Sequence, residues 1–286
     1  MKQFFKNFWF YLRFIWYYVA YKPTTQSQSV PQPENDRHPT ESDIYKYTDK
    51  QWENNSNQET YEIKENDMVN KETKNVIICL DNGHGEETPG KRSPWSACKV
   101  PPELPFHEYS YCRDIVSRLA QVLHENGYPV YIVTPEVNDV RLEERGKRIN
   151  KVVEDAKKQG MHVISISIHN NAAGNGRVWK NASGWSVWTT HGQNNSDKLA
   201  QCLFDSAKEI LTPLGQKIRH DISDGDDDYE DNFAMCRIPN CPAVLTENMF
   251  QDNINDVKFL TSEEGKNMIV GIHHHGIIKF IKLMGW

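Results

Sequence analysis

The run Val76-Ile77-Ile78-Cys79-Leu80 is followed at once by Asp81-Asn82-Gly83-His84-Gly85. A continuous apolar stretch of this length, rich in β-branched residues, predicts a strand buried on both faces. Such a strand needs parallel neighbours and helices to cover it, so these ten residues constrain the architecture more than any other stretch. The glycine-flanked turn and then Thr88-Pro89-Gly90 end the strand. A histidine in that turn is either an ordinary turn residue or part of the crevice where open α/β sheets place their ligands. Its partners further along the chain decide between the two.

From Lys74 onward, strand-like and helix-like stretches alternate. Tyr111, Ile115, Leu119, Val122 and Leu123 recur at helical spacing within 108–126, and Gly127 supplies a helix stop. Residues 129–134 predict a short strand. Residues 138–158 predict a helix with Val140, Leu142, Ile149, Val152 and Val153 on its apolar stripe. In 162–169, isoleucine alternates with serine, predicting a strand with two unlike faces. A strand at 183–189, a helix at 196–211 capped by Ser196-Asp197, short strands at 234–236 and 243–247, and a closing helix at 262–283 complete the pattern. The expected fold class is therefore α/β: one domain with a mostly parallel twisted sheet flanked by helices on both faces.

The mean hydropathy of −0.71 is low for a chain folded throughout. Residues 23–73 account for it. They are dominated by Pro, Gln, Ser, Thr, Asn and Glu, with no apolar period, and cannot bury enough surface to offset their ordering entropy. They predict a disordered linker ahead of a catalytic domain at 74–286. Residues 1–22 are rich in Phe, Trp and Tyr, carry Lys2, Lys6, Arg13 and Lys22, and contain no acid. Arg13 leaves no clean membrane span, and no small-residue cleavage site follows. Aromatic rings with snorkelling cations suit a membrane interface or an unusual signal-anchor. A helix packed on the domain or on a partner chain is the other reading. The chain carries a formal charge of −6 despite this basic start, and its acidic body argues against nucleic-acid binding through bulk charge.

Four polar residues fall at predicted strand ends or a helix start: His84, Glu108, His169 and Glu247. An acid directly after the apolar run Ala243–Leu245 is costly unless it is paired, hydrogen-bonded or metal-bound. Glu108, in a first helical turn, also has the simpler reading of a carboxylate favoured by the helix macrodipole. Two imidazoles and a carboxylate form a donor set for catalytic zinc, which keeps one position open for water. A second carboxylate can then move the proton.

These segments, in this order, resemble the zinc-dependent N-acetylmuramoyl-L-alanine amidases of the type 3 class, the cell-wall amidases of bacteria and their phages. The resemblance is carried by Asp81-Asn-Gly83-His84-Gly85 with Pro89-Gly90, by Glu108 through Asn126-Gly127, by Asp139 through Arg145, by Ser165-Ile-Ser-Ile-His169-Asn-Asn, and by Pro242 through Phe250. It implies His84, Glu108 and His169 as Zn²⁺ ligands and Glu247 as general base and then acid. The implied reaction is hydrolysis of the amide between N-acetylmuramic acid and L-alanine in peptidoglycan, in wall lysis, as by a phage endolysin, or in wall remodelling. The implied place of action is the cell envelope, in periplasm or wall, or the host wall for a phage enzyme. Another zinc amide hydrolase, a peptidase or deacetylase, and an inactive membrane-attached regulator with the same fold are the rival readings.

Two departures stand out. The family's Glu-x-Gly-Phe reads Glu247-Asn248-Met249-Phe250 here, which is expected to alter the local backbone but not the chemistry. His107 adjoins Glu108 and competes with it as a ligand, with Glu108 preferred. Gly83 and Gly85 are expected to permit a tight turn, with Asp81 or Asn82 orienting the His84 ring. The acidic stretch 221–231 lacks the spacing and closing Glu of a calcium loop and reads as solvated. His273, His274 and His275 point in different directions on one helix and read as packing and surface residues. Arg92, Trp95 and Trp188 are candidate glycan contacts. Cys236 and Cys241 are spaced either for a disulfide, in an oxidising compartment, or as two thiols.

Overall fold

The computed structural model describes residues 74–94 and 106–286; the expectations for 1–22 and 23–73, and for Trp95, fall outside them. Six strands form one sheet: β1 (Val76–Asn82), β2 (Val130–Ile132), β3 (His162–Asn171), β4 (Ser186–Thr189), β5 (Tyr229–Glu230) and β6 (Ala243–Phe250), in the order β2-β1-β3-β6-β4-β5. Strands β2, β1, β3 and β6 run parallel, and β4 is antiparallel to β6. The helices are α1 (Glu108–Glu125), α2 (Leu142–Lys157), α3 (Asn195–Leu211), α4 (Ala234–Arg237), α5 (Ile254–Thr261) and α6 (Glu263–Met284).

The period-2 alternation of side chains sorts the core into two layers. Val76, Ile78 and Leu80 of β1 and Ile164, Ile166 and Ile168 of β3 pack with α1, α3 and α6. Ile77 and Cys79 turn to the other face and meet Ile149, Val152 and Ala156 of α2 and Met235 of α4. All seven residues of β1 are buried, as a strand covered on both faces requires. The serine face of β3 is also buried, because it lies under α2: Ser167 Oγ donates to Asp81 Oδ2 at 2.6 Å.

Several local expectations are corrected. Residues 234–236 form a helical turn rather than a strand. Helix α2 begins at Leu142, not 138, because 133–141 are held as a loop by backbone-directed guanidinium contacts; Leu142 is 46% exposed and lies off the stripe. The α3 cap is Asn194, whose side chain accepts from Ser196 N while Asp197 accepts from Asn194 N, a capping box. Helix α5, capped by Asn253, was not anticipated, since eight residues carry too few turns for a clear period. Cys236 and Cys241 are both free thiols.

The pairing of β3 with β6 contains an irregularity: His169 faces Glu247, but Asn171 faces Phe250, so β6 carries one extra residue. Met249 absorbs it with φ 64°, in the left-handed region. The methionine thus takes a backbone conformation that glycine adopts most easily. The side chain is fully buried in the larger core layer. Left-handed backbone costs about 1–2 kcal/mol in a non-glycine residue, whereas emptying a buried methionine site costs about 2–5 kcal/mol. Met249→Gly should therefore destabilise the protein by roughly 2 kcal/mol in chemical unfolding; a gain in stability would show that backbone strain, not packing, dominates there.

His273 of α6 is buried, with Nδ1–H donating to Ile269 O at 2.7 Å and Nε2 accepting from Thr246 Oγ1 at 2.9 Å. Burial pushes its pKa down to about 4, only partly opposed by the Ile269 bond. The folded value lies below the unfolded one, so above pH ~6.5 neither state binds the proton. Below that the unfolded state protonates first, and stability is lost until pH reaches about 4. The stability difference between wild type and His273→Gln should shrink by on the order of 3 kcal/mol between pH 7 and pH 4; a pH-independent difference would refute a neutral buried His273.

Candidate active site

His84, Glu108, His169 and Glu247 come from four different elements. His84 follows β1, His169 lies in β3 and Glu247 in β6, all toward the carboxyl ends of parallel strands, where open α/β sheets form their crevice. Glu108 opens α1, which is carried to the site by an antiparallel bridge between Arg92 and His107. Lys91 O accepts from Glu108 N at 3.0 Å, and Ser93 Oγ from Phe106 N at 3.0 Å.

His84, Glu108 and His169 each offer a ligand atom within 4.8 Å of the others. The two imidazole rings meet edge to face at 4.8 Å. His169 Nδ1 lies 3.2 Å from Glu108 Oε1 in hydrogen-bond geometry. His84 Nε2 approaches the same oxygen at 3.4 Å without hydrogen-bond geometry, and remains a buried nitrogen with no hydrogen-bond partner. Glu108 is fully buried, and its second oxygen accepts from Gln251 Nε2 at 2.9 Å; Asn170 N donates to Oε1 at 3.0 Å. His107 is not in the cluster: its ring packs against Tyr109 at 5.8 Å.

The electrostatics follow from this enclosure. Burial opposes charge on Glu108, but the contacts and charges of His169 and His84 outweigh it and hold the carboxyl well below the usual carboxylate range. Burial lowers the pKa of His84. In His169 burial also acts downward, and the Glu108 hydrogen bond overcomes it, so the net shift is upward. Burial pushes the Glu247 carboxyl up to about 7; Glu108 adds to the rise, and His169, Lys91 and Arg219 oppose it. Glu247 Oε2 is buried without a hydrogen-bond partner.

The glycines beside His84 act differently from the expectation. The left-handed residue is His84 itself, with φ 61°. Gly83 is required because a Cβ would lie 2.5 Å from the His169 ring, and Gly85 because a Cβ would collide with the Asp139 backbone. The strained turn is held by Arg113 of α1, which donates to His84 O at 3.1 Å and Glu136 O at 2.7 Å. Asp81 and Asn82 do not orient the ring. Asp81 pairs with Arg145 at 2.9 Å, and Asn82 Oδ1 accepts from Thr134 Oγ1 at 2.5 Å. Both side chains are engaged beneath the turn, not beside the imidazole.

Sequence reasoning missed the residues that hold the site rather than form it. Gln251 and Lys91 lie outside the segments that carry the resemblance, Asn170 and Arg113 lie inside them without an assigned role, and the part each plays comes from contacts across the chain. Lys91 Nζ lies 3.9 Å from Glu108 Oε2. Arg219 is held between the Tyr229 and Phe250 rings, at 5.5 and 5.1 Å from their centroids. Trp188 stacks on Tyr229 and donates from Nε1 to Ser186 Oγ at 3.2 Å, which accounts for it as a packing residue.

The donor set fits a metal ion: three nitrogen and oxygen ligands of zinc type, with an unpartnered imidazole nitrogen among them and an unpartnered carboxylate oxygen close by. Among the described residues no helix is long and apolar enough to cross a membrane.

The fold matches that of an N-acetylmuramoyl-L-alanine amidase from Clostridium difficile 630 with a TM-score of 0.58 at 21% identity, covering 73% of this chain and 98% of that one. The amidase AmiC2 of Nostoc punctiforme gives 0.57 at 19% identity, over 74% and 99% of the two chains. Ami1 from Mycobacterium smegmatis gives 0.54 at 19% identity, over 73% and 97%. No curated protein matches this sequence. The N-acetylmuramoyl-L-alanine amidase family model matches residues 78–279, which spans β1 to α6 and all four site residues. The chain therefore belongs to the N-acetylmuramoyl-L-alanine amidases, enzymes of the peptidoglycan cell wall.

Proposed function

We propose that residues 74–286 are a catalytic domain in which His84, Glu108 and His169 hold zinc and Glu247 transfers the proton during hydrolysis of the N-acetylmuramoyl-L-alanine amide. The observation that supports this most is the convergence of two orphaned buried atoms, His84 Nε2 and Glu247 Oε2, around a carboxylate already gripped by His169, Asn170 and Gln251. A bound zinc ion would polarise the scissile carbonyl and make a water molecule acidic near neutral pH.

The chain's own residues supply the rest. Gln251 and the Asn170 amide fix the Glu108 carboxylate, so its position does not depend on the metal alone. The bulge at Met249 and the hydrogen bonds of Asn248 to His169 O and Trp185 set the end of β6, and with it the place of Glu247. With its pKa near neutrality, Glu247 can take a proton from the attacking water and give it to the departing L-alanine amine. The buried setting favours that exchange because neither of its protonation states is strongly preferred.

Two measurements test this reading. Glu247→Gln should retain one equivalent of zinc by metal analysis while losing about 100-fold or more in rate. Wild type should release intact stem peptides with a free L-alanine amine from purified muropeptides, and a chelator should abolish that release. Cleavage inside the stem, loss of acetate alone, or full activity in Glu247→Gln would each sink the assignment.

The enzyme acts on the cell wall. We further assign the aromatic, basic residues 1–22 to the membrane surface. The full chain should float with anionic lipid vesicles, and a chain beginning at residue 74 should not; equal behaviour of the two would remove the membrane contact.

A further inference from the structure

A second group of carboxylates lies apart from the catalytic cluster. Asp197 of α3 and Asp226 and Asp228 of the following loop each offer an oxygen within 4.8 Å of the others. Glu247 pairs with Ser186 at the start of β4, whereas these acids gather at Thr189, at its other end. They therefore sit further along β4, away from the carboxyl ends of the parallel strands.

The hydrogen bonds do not satisfy this group. Thr189 Oγ1 lies 3.2 Å from Asp197 Oδ1 and 2.5 Å from Asp228 Oδ2, yet one hydroxyl donates only one proton. Asp226 Oδ2 accepts from the neutral Gln193 amide at 2.7 Å, and Asp197 Oδ2 from Asn194 N. Asp228 is only 2% exposed, and its Oδ1 has no hydrogen-bond partner; neither has Asp226 Oδ1. The Asp228 and Asp226 carboxyl groups lie within hydrogen-bonding reach of each other, a contact that is favourable only with a proton or a cation between them. No basic side chain among the described residues forms an ion pair with any of the three. The neighbouring Asp227, by contrast, has His220 at 3.0 Å.

Buried carboxylates without a counter-charge must be neutralised, by a proton or by a cation. Burial and Asp226 push the Asp228 carboxyl up to about 8, which measures how poorly the anion is accommodated without one. The donors are all oxygens, which excludes a soft or nitrogen-seeking metal and suits a hard one. We propose that Asp197, Asp226 and Asp228 bind a hard divalent cation of the calcium–magnesium class, which ties the acidic loop to the start of α3 and the end of β4. This revises the sequence reading of 221–231 as a solvated loop. The linear calcium-loop pattern is absent because one of the three ligands comes from a helix some thirty residues earlier.

The test is thermal unfolding of the zinc-loaded full chain at neutral pH, with calcium chloride or magnesium chloride titrated in. Wild type should gain roughly 5 °C at millimolar concentrations of the cation that fits. A response to calcium alone, or to magnesium alone, assigns the ion. Asp228→Asn and Asp226→Asn should lose the response, and without added ion Asp228→Asn should be at least as stable as wild type, because the cost of neutralising a buried carboxylate is gone. Should Asp228→Asn fail to fold, the half-buried Asp226→Asn carries the comparison. A wild type indifferent to both ions would mean that a proton alone neutralises the group, and an undiminished response in the variants would place the ion elsewhere; either result overturns the proposal.

Discussion

The buried ion pair between Asp81 and Arg145 is the contact on which the active-site end of this fold depends. Both side chains are almost fully buried, one at the end of β1 and one in the first turn of α2. The Arg145 guanidinium also reaches Asn82 O, Val140 O and Asp139 Oδ1. Asp139 in turn accepts from Thr88 Oγ1, and its amide donates to Glu87. One cation thus ties together the strand end, the turn that bears His84 and the loop leading into α2. A buried pair of this kind adds little net stability against an apolar substitute, but removing one member leaves an uncompensated charge. Its effect here is geometric: it fixes where the chain leaves the sheet, and so where His84 points.

The same logic runs through the rest of the site. Several polar groups near the metal-type cluster are held by another element rather than by their own neighbours in sequence. Arg113 of α1 grips the His84 carbonyl, Gln251 after β6 grips Glu108, and Asn248 grips His169 O. The bulge in β6 makes the last of these possible. It shifts the register between His169 and Asn171, turning Asn248 inward and leaving Glu247 opposite His169. Met249 holds the left-handed backbone that the bulge requires, and burial of its side chain offsets the cost.

The two acidic clusters illustrate how surroundings set the chemistry of a carboxylate. Glu108 is enclosed by two imidazoles, a backbone amide and a carboxamide, and stays ionised. Asp228 is enclosed by one hydroxyl and another acid, and its anion is disfavoured. Both are almost wholly hidden from solvent; the difference lies in what donates to them. Glu247 stands between these extremes: the residue is half-buried, its Oε2 is enclosed without a hydrogen-bond partner, and His169, Lys91 and Arg219 only partly oppose the upward push of burial.

The order of residues along the chain carries the architecture and singles out four polar positions. The apolar run of β1, the isoleucine–serine alternation of β3 and the spacing in α1 each encode a local period that survives in the fold, because burial on one or two faces leaves a direct imprint on residue order. His84, Glu108, His169 and Glu247 were legible because each stands at the end of such a pattern, and their order matched one family. What holds them follows only from how the elements pack. Asp81 looked like a partner for His84 from adjacency, but the partner it takes is sixty-four residues away. Gly83 looked like a flexible turn residue, yet it is needed because the His169 ring comes too close for any Cβ. The turn at 234–237 and helix α5 were too short for their period to outweigh local composition. Side-chain partners across a sheet leave no periodic trace in the chain, so they emerge only once strands and helices are packed.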